Sequence, residues 1–130
     1  MIIRWFGQSA YLLQADELSV FIDPFGSVEP IRSRGIRWEY PAIEDVSATL
    51  LLITHEHLDH DAAEVVGGSP QVIRPTAGRF ESPVGEVVAV AGEHDEQAGT
   101  VRGPNSIFVF TFDGTRVAHF GDFGQSRLRD

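Results

Sequence analysis

The sequence predicts a strand-rich α+β domain in which two sheets pack face to face as a sandwich. Three observations point there. Short apolar runs bounded by turn signals recur along the chain, at 2–6, 10–14, 18–22, 71–74, 85–91, 106–112 and 115–120. One further run, Ala48-Thr49-Leu50-Leu51-Leu52-Ile53, is almost unbroken, as in a strand covered on both faces. Helical periodicity is scarce: a short helix is expected from Ala62 to Val66, stopped by Gly67-Gly68 and Pro70.

Taken in order, the first two runs are separated by a turn at Gly7-Gln8-Ser9. The third ends at Asp23-Pro24, where proline withdraws a backbone donor and stops ladder pairing. From Phe25 to Ser47 the chain is rich in Pro, Gly and charge. It reads as a long loop with a helical turn around Ile43-Glu44-Asp45. Ile107-Phe108-Val109-Phe110-Thr111-Phe112 alternates poorly, which predicts a central strand covered on both sides. Asp113-Gly114 then predicts a two-residue hairpin turn into 115–120. No repeat or linker interrupts residues 1–130, and that length suits a single domain.

Composition removes several function classes. With no cysteine, there are no disulfides, thiolate metal sites or cysteine nucleophiles, so a bound transition metal must be held by His, Asp or Glu. The formal charge is −9 and all ten basic residues are arginine, a balance that disfavours a nucleic-acid partner. No apolar run approaches the ~20 residues that span a bilayer, and the first residues lack a secretory pattern. The expectation is a cytoplasmic protein with no membrane partner that acts on a small molecule.

Chemistry is concentrated in one place. Of five histidines, three fall in His55-Glu56-His57-Leu58-Asp59-His60, directly after the buried run. His55 and His57 leave an extended segment on one side, so their imidazoles can clamp a cation. Asp59 and His60 follow where the chain turns, and can aim at a neighbouring second cation. Zinc takes this mixture of nitrogen and carboxylate ligands, and a catalytic zinc keeps one position for water. Glu56 and Asp61 have the wrong parity for the clamp and read as solvated groups.

This His-x-His-x-Asp-His segment resembles the signature of the metallo-β-lactamase superfamily. The resemblance extends to Arg4-Trp5-Phe6-Gly7-Gln8-Ser9-Ala10, Ile22-Asp23-Pro24-Phe25 and His119-Phe120-Gly121-Asp122, in that order. Its nearest look is to a branch of small metal-dependent hydrolases that includes ascorbate-phosphate lactonase relatives. The resemblance implies a β-sandwich flanked by helices (αββα), of which this chain is the N-terminal half to two-thirds. It implies that His55, His57 and His94 ligate a first metal, that Asp59 and His60 ligate a second, and that Asp122 bridges the two. Asp59 is also the implied catalytic residue, orienting the attacking hydroxide and carrying a proton to the leaving group. His119, one residue before Phe120, reads as a half-buried structural histidine. Asp23 is either an acceptor that orients a ligand histidine or a strand-end cap. Gln8 is a turn or pocket polar group, and Arg102-Gly103-Pro104-Asn105 is either a substrate contact or a loop entering a strand.

The expected function is therefore hydrolysis of an ester, lactone, amide or phosphoester by a hydroxide held on one or two divalent metals. Zinc is the expected metal, and iron or manganese fits the same donors. In the superfamily the fold continues past the bridging aspartate and supplies one more histidine to the second metal. Without that part, apolar sheet surface would be uncovered. A truncated gene, a shortened natural form and a homo-oligomer compete to explain it. The homo-oligomer is the favoured expectation, because a partner chain would cover that surface. The competing expectation is a metal-binding module that is catalytically weak and serves an assembly.

Overall fold

The computed structural model describes residues 1–127. The first sheet is built from β1 (Ile2–Gly7), β2 (Ala10–Ala15), β3 (Leu18–Ile22), β5 (Leu50–Leu52) and β7 (Gln71–Ile73), in the spatial order β1-β2-β3-β5-β7. β1, β2 and β3 run antiparallel to one another, whereas β3, β5 and β7 run parallel. The second sheet is antiparallel, in the order β11-β10-β9-β8. Its strands are β8 (Gly78–Ser82), β9 (Gly85–Glu93), β10 (Pro104–Phe112) and β11 (Thr115–His119). A parallel pair, β4 (Val46–Ser47) and β6 (Val66–Gly67), closes the rim beside β5.

Alternation along β5 and the residue after it explains the layers. Leu50 and Leu52 point into the inter-sheet core with Leu13, Val20, Ile22, Val87, Phe108, Phe110 and Phe112. Leu51 and Ile53 point the other way, into a second core with Phe21, Phe25, Ile31, Trp38 and Ile43. All four are essentially inaccessible to solvent, as the unbroken apolar run predicts.

What covers the outer face of the first sheet is mainly the long segment after Asp23. It contains a four-residue helix, α1 (Glu29–Arg32), and drops Phe25, Ile31, Trp38 and Ile43 onto the strands. Pro30 is tolerated in α1 because the first helical turn has no use for its missing N–H. The helical turn expected at 43–45 is absent; the one helix of this segment lies at α1 instead. The helix expected from Ala62 to Val66 is only a 3₁₀ turn, Ala63–Val65, after which Val66 pairs with Val46. Two β-branched valines and the following glycines favour extended backbone there. β8 was not legible in the sequence, since Gly78-Arg79-Phe80-Glu81-Ser82 holds a single large apolar residue.

β10 is central, between β9 and β11, but it is covered on both sides only at its start. Phe108, Phe110 and Phe112 face the core; on the outer face Ile107 is buried, Val109 is half-buried, Thr111 is exposed and Val90 of neighbouring β9 is 40% exposed. Past that start, the expected covering layer beyond the second sheet is missing among the described residues. The hairpin forms as predicted: Asp113 and Gly114 both have positive φ and join Phe112 to Thr115.

Candidate metal centre

Four strand ends meet at one rim of the sandwich. β3 and β5 are parallel, so Asp23 and Thr54-His55 emerge side by side. β9 and β11 both run antiparallel to β10, so His94 and Asp122 emerge together from the other sheet. The sheets are joined at this rim by a 2.7 Å hydrogen bond from Ser106 N–H to the Thr54 carbonyl. Asn105, buried, donates from Nδ2 to the Phe120 carbonyl and accepts the Asp122 N–H at Oδ1. Gly121 crosses Thr54 so closely that a Cβ would lie 2.4 Å from its Oγ1, and its φ is +57°. Glycine is required there by both space and backbone.

Donor atoms of His55, His57 and His94 lie within 4.8 Å of one another. The His55 ring centroid is 4.7 Å from that of His57, 4.8 Å from His94 and 4.0 Å from His60. Asp122 spans the cluster: Oδ2 is 3.2 Å from His94 Nε2, and Oδ1 is 3.6 Å from His60 Nε2. Asp59 Oδ2 lies 3.7 Å from the same His60 nitrogen. The structure thus gathers His55, His57, Asp59, His60, His94 and Asp122 into two adjoining groups that share Asp122. Nε2 of His55 and Nε2 of His60 are both buried without a hydrogen-bond partner. A buried, bare imidazole nitrogen is costly unless something fills its lone pair, and a divalent cation does so.

Asp23 is the buried anchor behind both groups. Its Oδ1 accepts the Thr54 N–H at 2.7 Å; its Oδ2 accepts the Thr54 hydroxyl at 2.7 Å and lies 3.1 Å from His60 Nδ1. It is an orienting acceptor and not merely a cap. Donor atoms of Asp23, His55 and His60 also lie close enough together to suggest a further cation position. Both Asp23 oxygens already accept hydrogen bonds, so we read that group as support for the neighbouring histidines.

Charge follows these contacts. Burial pushes the His55 imidazole down to about 4, assisted by the nearby positive His60. For His60, burial opposes the charged form, but the Asp23 hydrogen bond and the charges of Asp23, Asp122 and Asp59 outweigh it and raise the pKa. Burial also lowers His119. His119 uses Nε2 toward the Ser9 carbonyl and Nδ1 as acceptor for the Gly121 N–H, so it braces the rim and stays out of the cluster.

The remaining sequence candidates separate cleanly. Glu56 is solvated and faces Arg74 at 3.6 Å. Asp61 takes no part in the cluster. Gln8 has φ +51° in the turn after β1 and lines a groove of about 580 Å³ with Ile31, Arg34, Trp38, His57 and Asp59. Arg102 lines a smaller cleft on the other side of His57, whereas Asn105 of the same segment is a buried clamp. Sequence reasoning missed the roles of Thr54 and Asp95, and the clamping role of Asn105. Asp95 accepts backbone N–H groups from Gln97, Gly99, Val101 and Arg102, which folds the loop behind His94 and lowers its pKa, chiefly through Arg102. Asp95 followed by Glu96-Gln97-Ala98-Gly99 was a legible turn signal for it.

The family described as a β-lactamase superfamily domain matches residues 2–129. The chain belongs to the metallo-β-lactamase superfamily. It is 29% identical over 127 residues to a UPF0173 metal-dependent hydrolase of Mesorhizobium japonicum, covering 96% of this chain and 51% of that protein. Over 80 residues it is 39% identical to another of that name from Methanosphaera stadtmanae, covering 59% of this chain and 31% of that protein. Among solved structures it is similar to a candidate Zn-dependent hydrolase of the metallo-β-lactamase superfamily from Thermotoga maritima, with a TM-score of 0.63 and 26% identity. That similarity covers 92% of this chain and 48% of the other. The chain thus spans a third to half of the length of these relatives. The metallo-β-lactamase-like fold expected from the sequence is the fold found. No helix among the described residues is long and apolar enough to cross a membrane.

Proposed function

We propose that this chain carries the cation-binding face of a metal-dependent hydrolase acting on an ester, lactone, amide or phosphoester. The observation that carries the reading is the gathering of three histidine donors within 4.8 Å, with Asp122 reaching from His94 toward His60. His55, His57 and His94 would hold one cation, Asp59 and His60 a second, with Asp122 shared between them. Zinc is the proposed cation because the set is nitrogen and carboxylate only; iron or manganese fits the same donors. A bound divalent cation supplies Lewis acidity and lowers the pKa of a water toward neutrality.

The chain's own residues supply the rest. Asp59 is partly open to the groove beside His57, and in this reading its carboxylate would take a proton and pass it to a leaving group. Trp38, Ile31 and Ile36 give the groove an apolar wall, and Arg34 places a cation on its rim. A small molecule with an apolar part fits that lining.

A homo-oligomer is part of the proposal. Its support is a second groove of about 500 Å³ between β1–β2 and β11, lined by Ile3 and Phe120, which are 58% and 47% exposed. Against the hydrolase stands a catalytically weak, structural metal module. Elemental analysis with solution mass, followed by turnover on an ester and phosphodiester panel, separates them. Bound zinc with turnover lost in Asp59→Asn supports the hydrolase; bound zinc with no turnover on any substrate supports the structural module.

A further inference from the structure

Thr54 is fully buried, and its single hydroxyl proton has two neighbours competing for it: Asp23 Oδ2 at 2.7 Å and His55 Nδ1 at 3.0 Å. Were that proton given to His55, a hydroxyl lone pair would face a carboxylate oxygen at 2.7 Å with no hydrogen between them. The proton therefore goes to Asp23, the stronger acceptor. The hydroxyl lone pair is then free to accept, and His55 Nδ1 must carry a hydrogen. That leaves Nε2 bare, and Nε2 is the buried, unpartnered His55 nitrogen.

His60 reaches the same carboxylate without an intermediary, through Nδ1 at 3.1 Å, and its Nε2 is likewise buried and unpartnered. One buried carboxylate thus stands behind both histidines, but by different routes: direct for His60, through a hydroxyl for His55.

We propose that Thr54 is a positioning residue that fixes the Nδ1–H tautomer of His55 and thereby tunes the His55–His57–His94 cation position alone. Asp23 governs both positions. The part of this inference that concerns cations rests on the metal-centre reading above; the tautomer does not.

The first test is ¹⁵N–¹H long-range correlation NMR on the metal-free wild-type protein at mildly alkaline pH. The expected result is a pyrrole-like Nδ1 and a pyridine-like Nε2 for His55. The opposite tautomer in the wild type overturns the proposal, whatever the variants do. The second test is zinc titration with a chelator competitor. Thr54→Val is expected to mix the His55 tautomers and weaken the first zinc by roughly 10–100-fold, the range for loss of an outer contact behind a metal-bound histidine. The second zinc should hold its affinity. Thr54→Ser restores the hydroxyl and is expected to return both the tautomer and the affinity, and Asp23→Asn to weaken both zinc ions. Equal weakening of both ions by Thr54→Val, or an unchanged tautomer and affinity, overturns the proposal. If no zinc binds the wild type, the metal-centre reading fails, while the NMR result still decides the role of Thr54.

Discussion

The two sheets carry similar-looking apolar runs and use them differently. Leu50-Leu51-Leu52-Ile53 in the first sheet is buried on both faces, because the segment after Asp23 folds back and brings Phe25, Ile31 and Trp38 over it. Ile107-Phe108-Val109-Phe110 in the second sheet buries its phenylalanines and Ile107, while Val109 and the neighbouring Val88 stay only partly covered. Composition of a strand therefore does not determine how many of its faces are covered; its neighbours do. The same division runs through the metal centre. The first sheet contributes one dense loop plus Asp23, and the second contributes two residues far apart in sequence, His94 and Asp122.

The sharpest way to break the comparison is by cavity. Leu51→Ala, in the outer core of the first sheet, is expected to cost about 2–5 kcal/mol by urea unfolding, while Val90→Ala on the open face of the second costs less than about 1. Similar losses at both positions would mean that the outer face of the second sheet is covered in solution. Next comes the centre itself. His94→Ala should weaken the first zinc as severely as His55→Ala, beyond the roughly 10–100-fold of an outer contact, although His94 lies outside the dense motif. A zinc titration in which His94→Ala keeps wild-type affinity would confine that site to the first sheet.

Acid separates the buried histidines. The folded pKa of His55 is depressed to about 4 against an unfolded value of 6.5, so between these the unfolded chain binds the proton first. Its contribution to stability is full above 6.5 and lost as pH falls toward 4, on the order of 2 kcal/mol after allowing for solvent screening. His119, also lowered by burial, acts in the same sense. His60 is raised, so its contribution is present below 6.5 and lost as pH rises through its folded pKa. Urea midpoints of the chelator-treated protein across this range check both signs. A midpoint that rises steadily on acidification would contradict the His55 assignment.

A smaller effect concerns the seam between the sheets. Asn105→Ala leaves the Phe120 carbonyl and the Asp122 N–H without their buried partner, at a cost of about 1–3 kcal/mol. It should also reduce zinc affinity, because the Asp122 turn loses its clamp. The smallest effect is expected at Glu56→Gln, where a solvated pair with Arg74 contributes at most about 1 kcal/mol and zinc affinity stays unchanged.

The sequence by itself determined the positions of the first sheet's apolar strands, the Asp113-Gly114 hairpin and the dense histidine loop. Each rests on neighbours within a few residues: alternation, turn chemistry and ligand spacing are local. His94 and Asp122 were legible mainly through resemblance, with the added hint that each ends a strand-like run, because no dense local motif marks either as part of a cluster. Only the tertiary structure decided that Asn105 clamps the Asp122 turn and that Thr54 joins Asp23 to His55. Those contacts link positions 17 and 31 residues apart along the chain. They exist because β3 lies parallel to β5, and because β9 and β11 run together beside β10. Coverage was likewise a tertiary matter, since a polar-looking loop after Asp23 buried one sheet's outer face, whereas the other's is covered only at the rim end, around Gly92 and Ile107.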